Sequence, residues 1–104
     1  MGRWVKVASA DELPPGTAKA VEVEGRTIAL FHVEGTFFAI DDACPHQGGP
    51  LSEGEVQGTE VTCPWHAANF DLRTGEVLSG PAREGVRAYA TRVVGSDVEV
   101  ELES

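Results

Sequence analysis

Apolar and polar positions alternate with a period of two through most of the chain, the signature of strands with one wet face. Trp4 to Ala8 reads as a first strand. Ala18 to Glu24 reads as a second, with Val21 and Val23 set against Glu22 and Glu24. Glu24-Gly25-Arg26 turns the chain into Thr27 to Val33, a largely apolar run containing His32. Glu34-Gly35 turns it again into Thr36 to Ile40. Runs spaced this closely predict an antiparallel meander. Ser9-Ala10-Asp11-Glu12 is a capping-box pattern that Pro14-Pro15-Gly16 stops, so it predicts at most one helical turn. At the C-terminal end Val86 to Val94 reads as a strand, Gly95-Ser96-Asp97 as a turn, and Val98 to Leu102 as a half-buried strand alternating with glutamates. The middle, from about residue 41 to 83, is rich in Gly and Pro, with strand-like pieces only at Glu60 to Thr62 and Glu76 to Leu78. The expectation is an all-β antiparallel framework carrying an inserted, loop-built segment. A rigid scaffold of this kind suits a site built on loops.

Length and charge narrow the picture. With 104 residues and no internal repeat, the chain reads as one domain, 1–104. A chain this short has a modest core, and a bound metal would add to its stability. Its 17 acidic and 8 basic residues give a net charge of -9. That balance argues against nucleic acid, whose phosphates demand a basic surface. It suits docking on a basic patch of a protein partner, or serves solubility alone. Two cysteines cannot build a multi-disulfide scaffold. No run has the apolar length of a signal peptide or membrane span, so the expectation is a cytoplasmic protein off the membrane. Lys6 stands where a myristoylation signal on Gly2 would want Ser or Thr.

The chemistry lies in two boxes, Cys44-Pro45-His46 and Cys63-Pro64-Trp65-His66, with 16 residues between them. Thiolate and imidazole suit zinc or iron–sulfur. Ligands two or three apart on a tight loop converge on one centre, and Pro45 and Pro64 stiffen those loops. The usual zinc-finger order puts two Cys on one arm and two His on the other. Here each arm carries one of each. Two such loops clamped about a binuclear cluster place both thiolates at one iron and both imidazoles at the other, the arrangement of Rieske centres. A mononuclear zinc site on the same four residues stays open as the competing reading. His32, in an apolar strand without a neighbouring Cys, reads as a structural or surface histidine. Gly48-Gly49-Pro50 and Gly80-Pro81-Ala82 are open to reading as plain turns, and Trp65 and Phe70 as packing residues.

Through these two boxes the sequence resembles the Rieske family. ADELPPG, DDACPHQGGPLSEGEV and CPWHAANFDLRTGEVLSGPA are similar to the small ferredoxins of multicomponent, ring-hydroxylating oxygenase systems. The resemblance implies a Rieske-type antiparallel β sandwich or barrel with a two-loop cluster-binding subdomain at about 41–83. It implies one [2Fe–2S] cluster on Cys44, His46, Cys63 and His66, with backbone N–H groups near 46–49 and 66–69 donating to sulfur. It implies an electron carrier, not an enzyme, that passes single electrons from an NAD(P)H-dependent flavoprotein reductase to a terminal oxygenase through the exposed histidine edge, as a monomer. High-potential members of the family carry an extra Cys in each box and a Ser and a Tyr after the second. At the matching positions this chain has Gly49, Trp65, Ala68 and Phe70. Fewer donors to sulfur leave the reduced cluster less stabilised, so the expected potential is at the low end of the Rieske range, about −150 mV. The small subunit of an assimilatory nitrite reductase is the alternative within the same fold, and a zinc-stabilised interaction module is the alternative outside it. A complete oxygenase is not expected at this size.

Overall fold

A computed structural model describes residues 2–42, 50–64, 68–79 and 85–103. Among these residues, Gly2–Ser9 (β1), Ala18–Val23 (β2), Arg26–Val33 (β3), Thr36–Asp41 (β4), Glu55–Gln57 (β5), Glu60–Thr62 (β6), Asn69–Asp71 (β7), Val77–Ser79 (β8), Ala88–Tyr89 (β9), Thr91–Val94 (β10) and Asp97–Glu103 (β11) are strands. They form three antiparallel sheets, ordered β1-β11-β10, β2-β3-β4-β9 and β5-β6-β7-β8.

The meander of β2, β3 and β4 follows from its turns. Val23 pairs with Arg26 and Val33 with Thr36, so each hairpin loop has two residues, Glu24-Gly25 and Glu34-Gly35. Both residues of each loop have positive φ, 51° and 84° in the first, 48° and 88° in the second. Turns of this kind match the right-handed twist of the flanking strands. Glycine takes that conformation freely, whereas the two glutamates adopt it against their steric preference.

β3 is the wall between two cores. Ile28 and Leu30 face a first core with Val21, Val98, Val100 and Leu102, between the β1 sheet and the β3 sheet. Ala29 and Phe31 face a second core with Leu51, Val61, Cys63 and Phe70, between the β3 sheet and the small β5–β8 sheet. All four β3 residues from Ile28 to Phe31 are fully buried. A strand covered on both faces has no wet side, which is why its sequence is a continuous apolar run. Full burial of each large side chain is worth about 1.5–3 kcal/mol.

The helical turn appears as a single 3₁₀ turn, Ala10–Glu12, with the Glu12 carboxylate accepting the Ser9 N–H at 2.9 Å. That bond, and an ion pair with Lys19, hold the Glu12 carboxyl below its ordinary range. Three expectations need correction. The single strand Val86 to Val94 is two strands in different sheets. β9 pairs with β4, then the chain bends at Ala90 and β10 pairs with β11. Thr91 marks the crossing, its hydroxyl donating to the Phe37 carbonyl at 2.6 Å. A corner strand of this kind keeps its apolar pattern while changing sheets. The piece at Glu76 to Leu78 lies one residue later, because Leu78 is bulged out: Phe70 pairs with Val77 and Asn69 with Ser79. Finally, the middle segment carries its own four-stranded sheet. β5 and β7 add to the two strand-like pieces expected from the sequence.

Candidate metal centre

The site is built on the ends of strands. β4 ends at Asp41, and the chain re-enters the described structure at Pro50 and a 3₁₀ turn, Leu51–Glu53. Asp42 ties these ends together: its carbonyl accepts the Leu51 N–H at 2.7 Å and its carboxylate accepts the Ser52 N–H at 2.8 Å. Asp41 anchors the other side, accepting the Tyr89 hydroxyl at 2.5 Å. Burial, and then the bond to Asp41, push the Tyr89 hydroxyl above its ordinary pKa.

The second box leaves from β6. The Cys63 N–H donates to the Ala68 carbonyl at 2.7 Å, closing the root of the box. One pair further back, the Thr62 hydroxyl donates to the Asn69 side-chain oxygen at 2.7 Å, and the Asn69 amide donates to the Ser79 hydroxyl at 3.0 Å. Asn69 thereby joins the root of the second box to the end of β8. The chain is fastened again at Val86, whose N–H donates to the Gly75 carbonyl at 2.7 Å. Gly75 has φ +79°, and a Cβ there would lie 2.0 Å from the Val86 carbonyl oxygen, so this junction admits only glycine. The β7–β8 turn is stiffened by Asp71, whose carboxylate accepts the Arg73 N–H at 2.8 Å and pairs with the Arg73 guanidinium. Those bonds hold the Asp71 carboxyl below its ordinary range and the Arg73 guanidinium above its own.

Of the four ligands expected from the sequence, Cys63 lies among the described residues; Cys44, His46 and His66 lie outside them, as do Gly48, Gly49, Trp65 and the turn at 80–82. Cys63 is a free cysteine at 1% exposure, packed in the second core with Leu51, Val61, Ala68 and Phe70. Among the described residues, no three His, Cys, Asp or Glu gather about a common point. The fit to an iron–sulfur group therefore rests on Cys63: a thiolate presented from an apolar, water-excluding wall, on a backbone fixed at its root, is a suitable sulfur ligand. His32 is structural, as expected. Its Nδ1–H donates to the Leu13 carbonyl at 2.6 Å and its ring stacks on Phe37 at 4.2 Å. Phe70 is a fully buried packing residue. The root residues Asp42, Thr62, Asn69 and Tyr89 were not singled out by sequence.

An antiparallel framework with a buried cysteine at the root of a C-x-x-H box is a β protein that offers a sulfur ligand from its core. The Rieske [2Fe-2S] domain family matches residues 3–90, so the chain belongs to that family and carries one [2Fe–2S] cluster. That sets aside the zinc reading. The chain is 34% identical over 96% of both chains to the ferredoxin component of the naphthalene 1,2-dioxygenase system of Pseudomonas aeruginosa. It is 41% identical to the biphenyl dioxygenase ferredoxin subunit of Pseudomonas sp. strain KKS102, covering 95% of this chain and 92% of that one. Its fold superposes on the ferredoxin of carbazole 1,9a-dioxygenase from Nocardioides aromaticivorans IC177 with a TM-score of 0.89 and 33% identity, over 93% of this chain and 95% of that one. A Mycobacterium tuberculosis protein described as an NADH-dependent nitrite reductase small subunit shares the fold at a TM-score of 0.90 and 26% identity, over 100% and 98% of the two chains.

Proposed function

We propose that this chain is the ferredoxin component of a ring-hydroxylating oxygenase system, taking single electrons from an NAD(P)H-dependent flavoprotein reductase and delivering them to a terminal oxygenase. The observation that carries the reading is the near end-to-end likeness, in sequence and in fold, to ferredoxins of dioxygenase systems. Higher identity to those ferredoxins than to the nitrite reductase subunit favours this reading over the alternative.

In this reading Cys44, Cys63, His46 and His66 would hold the cluster, the two thiolates at one iron and the two imidazoles at the other, on a subdomain at about 41–83 of a single domain. When bound, the cluster takes up and releases one electron, and no substrate bond is made or broken. The protein's own residues do the rest. Cys63 presents its thiolate from the second core. Asp42, Asn69 and Gly75 fix the strand ends from which the neighbouring segments depart. A rigid surround keeps reorganisation on electron uptake small. With Ala68 and Phe70 offering no hydroxyl to sulfur, the potential falls at the low end of the Rieske range, about −150 mV. We place the protein in the cytoplasm as a monomer; no helix among the described residues is long and apolar enough to cross a membrane.

Reconstitution tests the function. With NADH, a ferredoxin reductase and a Rieske oxygenase of this class, adding the holoprotein should switch on product formation, and the apoprotein should not. Failure there, together with electron delivery to a siroheme nitrite reductase, would transfer the assignment to the nitrite reductase small subunit.

A further inference from the structure

Among the described residues, Asp42 is the one buried polar or charged side chain, at 9% exposure. Burying a carboxylate is costly unless hydrogen bonds replace its water. Asp42 is bonded in three directions, twice through its backbone and once through its carboxylate. Its N–H donates to the Thr27 carbonyl at 3.1 Å, its carbonyl accepts the Leu51 N–H at 2.7 Å, and its Oδ1 accepts the Ser52 N–H at 2.8 Å. The two backbone bonds already hold residue 42 against β3 and against the turn at Leu51–Glu53. The carboxylate adds one thing, the capture of the Ser52 N–H, which lies in the first turn of a 3₁₀ helix and has no partner inside it. An apolar side chain of similar size would fill the same space without the burial cost.

The chain between these two fastened points contains Cys44 and His46. We infer that Asp42 is a positioning residue of the metal centre: its side chain locks the exit of β4 to the turn at Leu51–Glu53, and so sets the frame within which Cys44 and His46 meet the iron. The inference rests on the ligand assignment proposed above. It makes the acceptor atom at Oδ1, rather than the negative charge, the feature that matters.

The test uses the holoprotein and follows iron release to a chelator by visible absorbance, alongside the electron paramagnetic resonance spectrum of the reduced state. Asp42→Asn keeps an acceptor at the same place and should release iron within about twofold of the wild-type rate. Asp42→Leu should release it about tenfold faster or more, the scale on which residues supporting a metal ligand act, with broadened g values. Should Asp42→Leu not fold, Asp42→Glu takes its place: it keeps the charge, displaces the acceptor by one methylene, and should be labile where Asp42→Asn is not. Wild-type release and an unchanged spectrum in Asp42→Leu, or an Asp42→Asn protein as labile as Asp42→Glu, would overturn the inference. Cys44→Ser in the same assay separates the two levels. An intact cluster there breaks the ligand assignment, whereas its loss beside a normal Asp42→Leu protein breaks the inference alone.

Discussion

The backbone N–H of Cys63 donates to the carbonyl of Ala68 at 2.7 Å, fastening the second box at its root while the Cys63 side chain is sealed in the second core. With Cys63 as the ligand proposed above, a side chain held this way has little freedom, and metal binding and folding are coupled. Cys44→Ser, His46→Ala, Cys63→Ser and His66→Ala should each abolish the cluster, read as iron and labile sulfide per chain. His32→Ala should keep it, losing about 1 kcal/mol of stability with the bond to Leu13. A bleached His32→Ala protein beside a coloured His46→Ala protein would refute the ligand assignment.

Tyr89 is the chain's one tyrosine, so its titration is read without overlap. Burial first, and the bond to Asp41 second, raise its pKa above the ordinary 10. A folded-state pKa above the unfolded one gives stability that is complete below about pH 10 and is lost as pH rises through the folded value. Tyr89→Phe should therefore flatten the alkaline limb of the stability profile. Asp41→Asn should lower the Tyr89 midpoint, followed by carbon-13 nuclear magnetic resonance of labelled tyrosine. An unmoved midpoint would show that Asp41 does not contribute.

How much of this was legible beforehand depends on the length and the solvation of each element. β11 showed its alternation because Val98, Val100 and Leu102 are buried while Glu99 and Glu101 reach solvent. The β2–β4 meander showed itself through the Glu-Gly pairs. β5 half-buries Val56 and β7 buries Phe70 alone, too little for a periodicity to register. The split at Ala90 was hidden because both halves of the corner strand look alike in sequence. At the site, spacing and residue type pointed to the four proposed ligands, since the chemistry of sulfur and imidazole is local. Asp42 and Asn69 act through bonds to Ser52 and Ser79, ten residues away in each case, and nothing in a linear pattern marks such pairs.

Between residues 50 and 79 the described part of the site subdomain carries Glu53, Glu55, Glu60, Asp71 and Glu76 against a single base, Arg73, which is paired with Asp71. A surface of this sign steers the chain toward a basic docking face and is screened by salt. The second-order rate of electron transfer to the oxygenase should fall about tenfold or more between about 50 mM and about 500 mM salt. Glu53→Gln, Glu55→Gln and Glu60→Gln combined should flatten that dependence. A rate indifferent to salt would leave the charge of -9 as a matter of solubility.

Adding hydroxyl donors at positions 68 and 70 tests the origin of the low potential proposed above. Ala68 is fully buried beside Cys63 in the second core, and Phe70, also fully buried, stands on β7 opposite Val61. Ala68→Ser adds a hydroxyl at the position where high-potential relatives of the family carry Ser, and Phe70→Tyr adds one where they carry Tyr. A hydrogen bond to sulfur withdraws electron density and favours the reduced state, so each change should raise the midpoint potential and the pair should raise it further. One such bond, worth about 1–1.5 kcal/mol net, corresponds to about 40–65 mV for a one-electron couple. The competing outcome is set by burial. A phenolic hydroxyl introduced by Phe70→Tyr that finds no partner in the apolar core costs about 1–3 kcal/mol and leaves the potential where it was. Voltammetry and thermal unfolding on the same samples separate the two. A higher potential with unchanged melting marks a bond to sulfur, and an unchanged potential with earlier melting marks an orphaned hydroxyl. If neither variant shifts the potential while the cluster stays intact, hydrogen bonding at 68 and 70 does not set it, and the cause must be sought in the surrounding acidic charge and in solvent access.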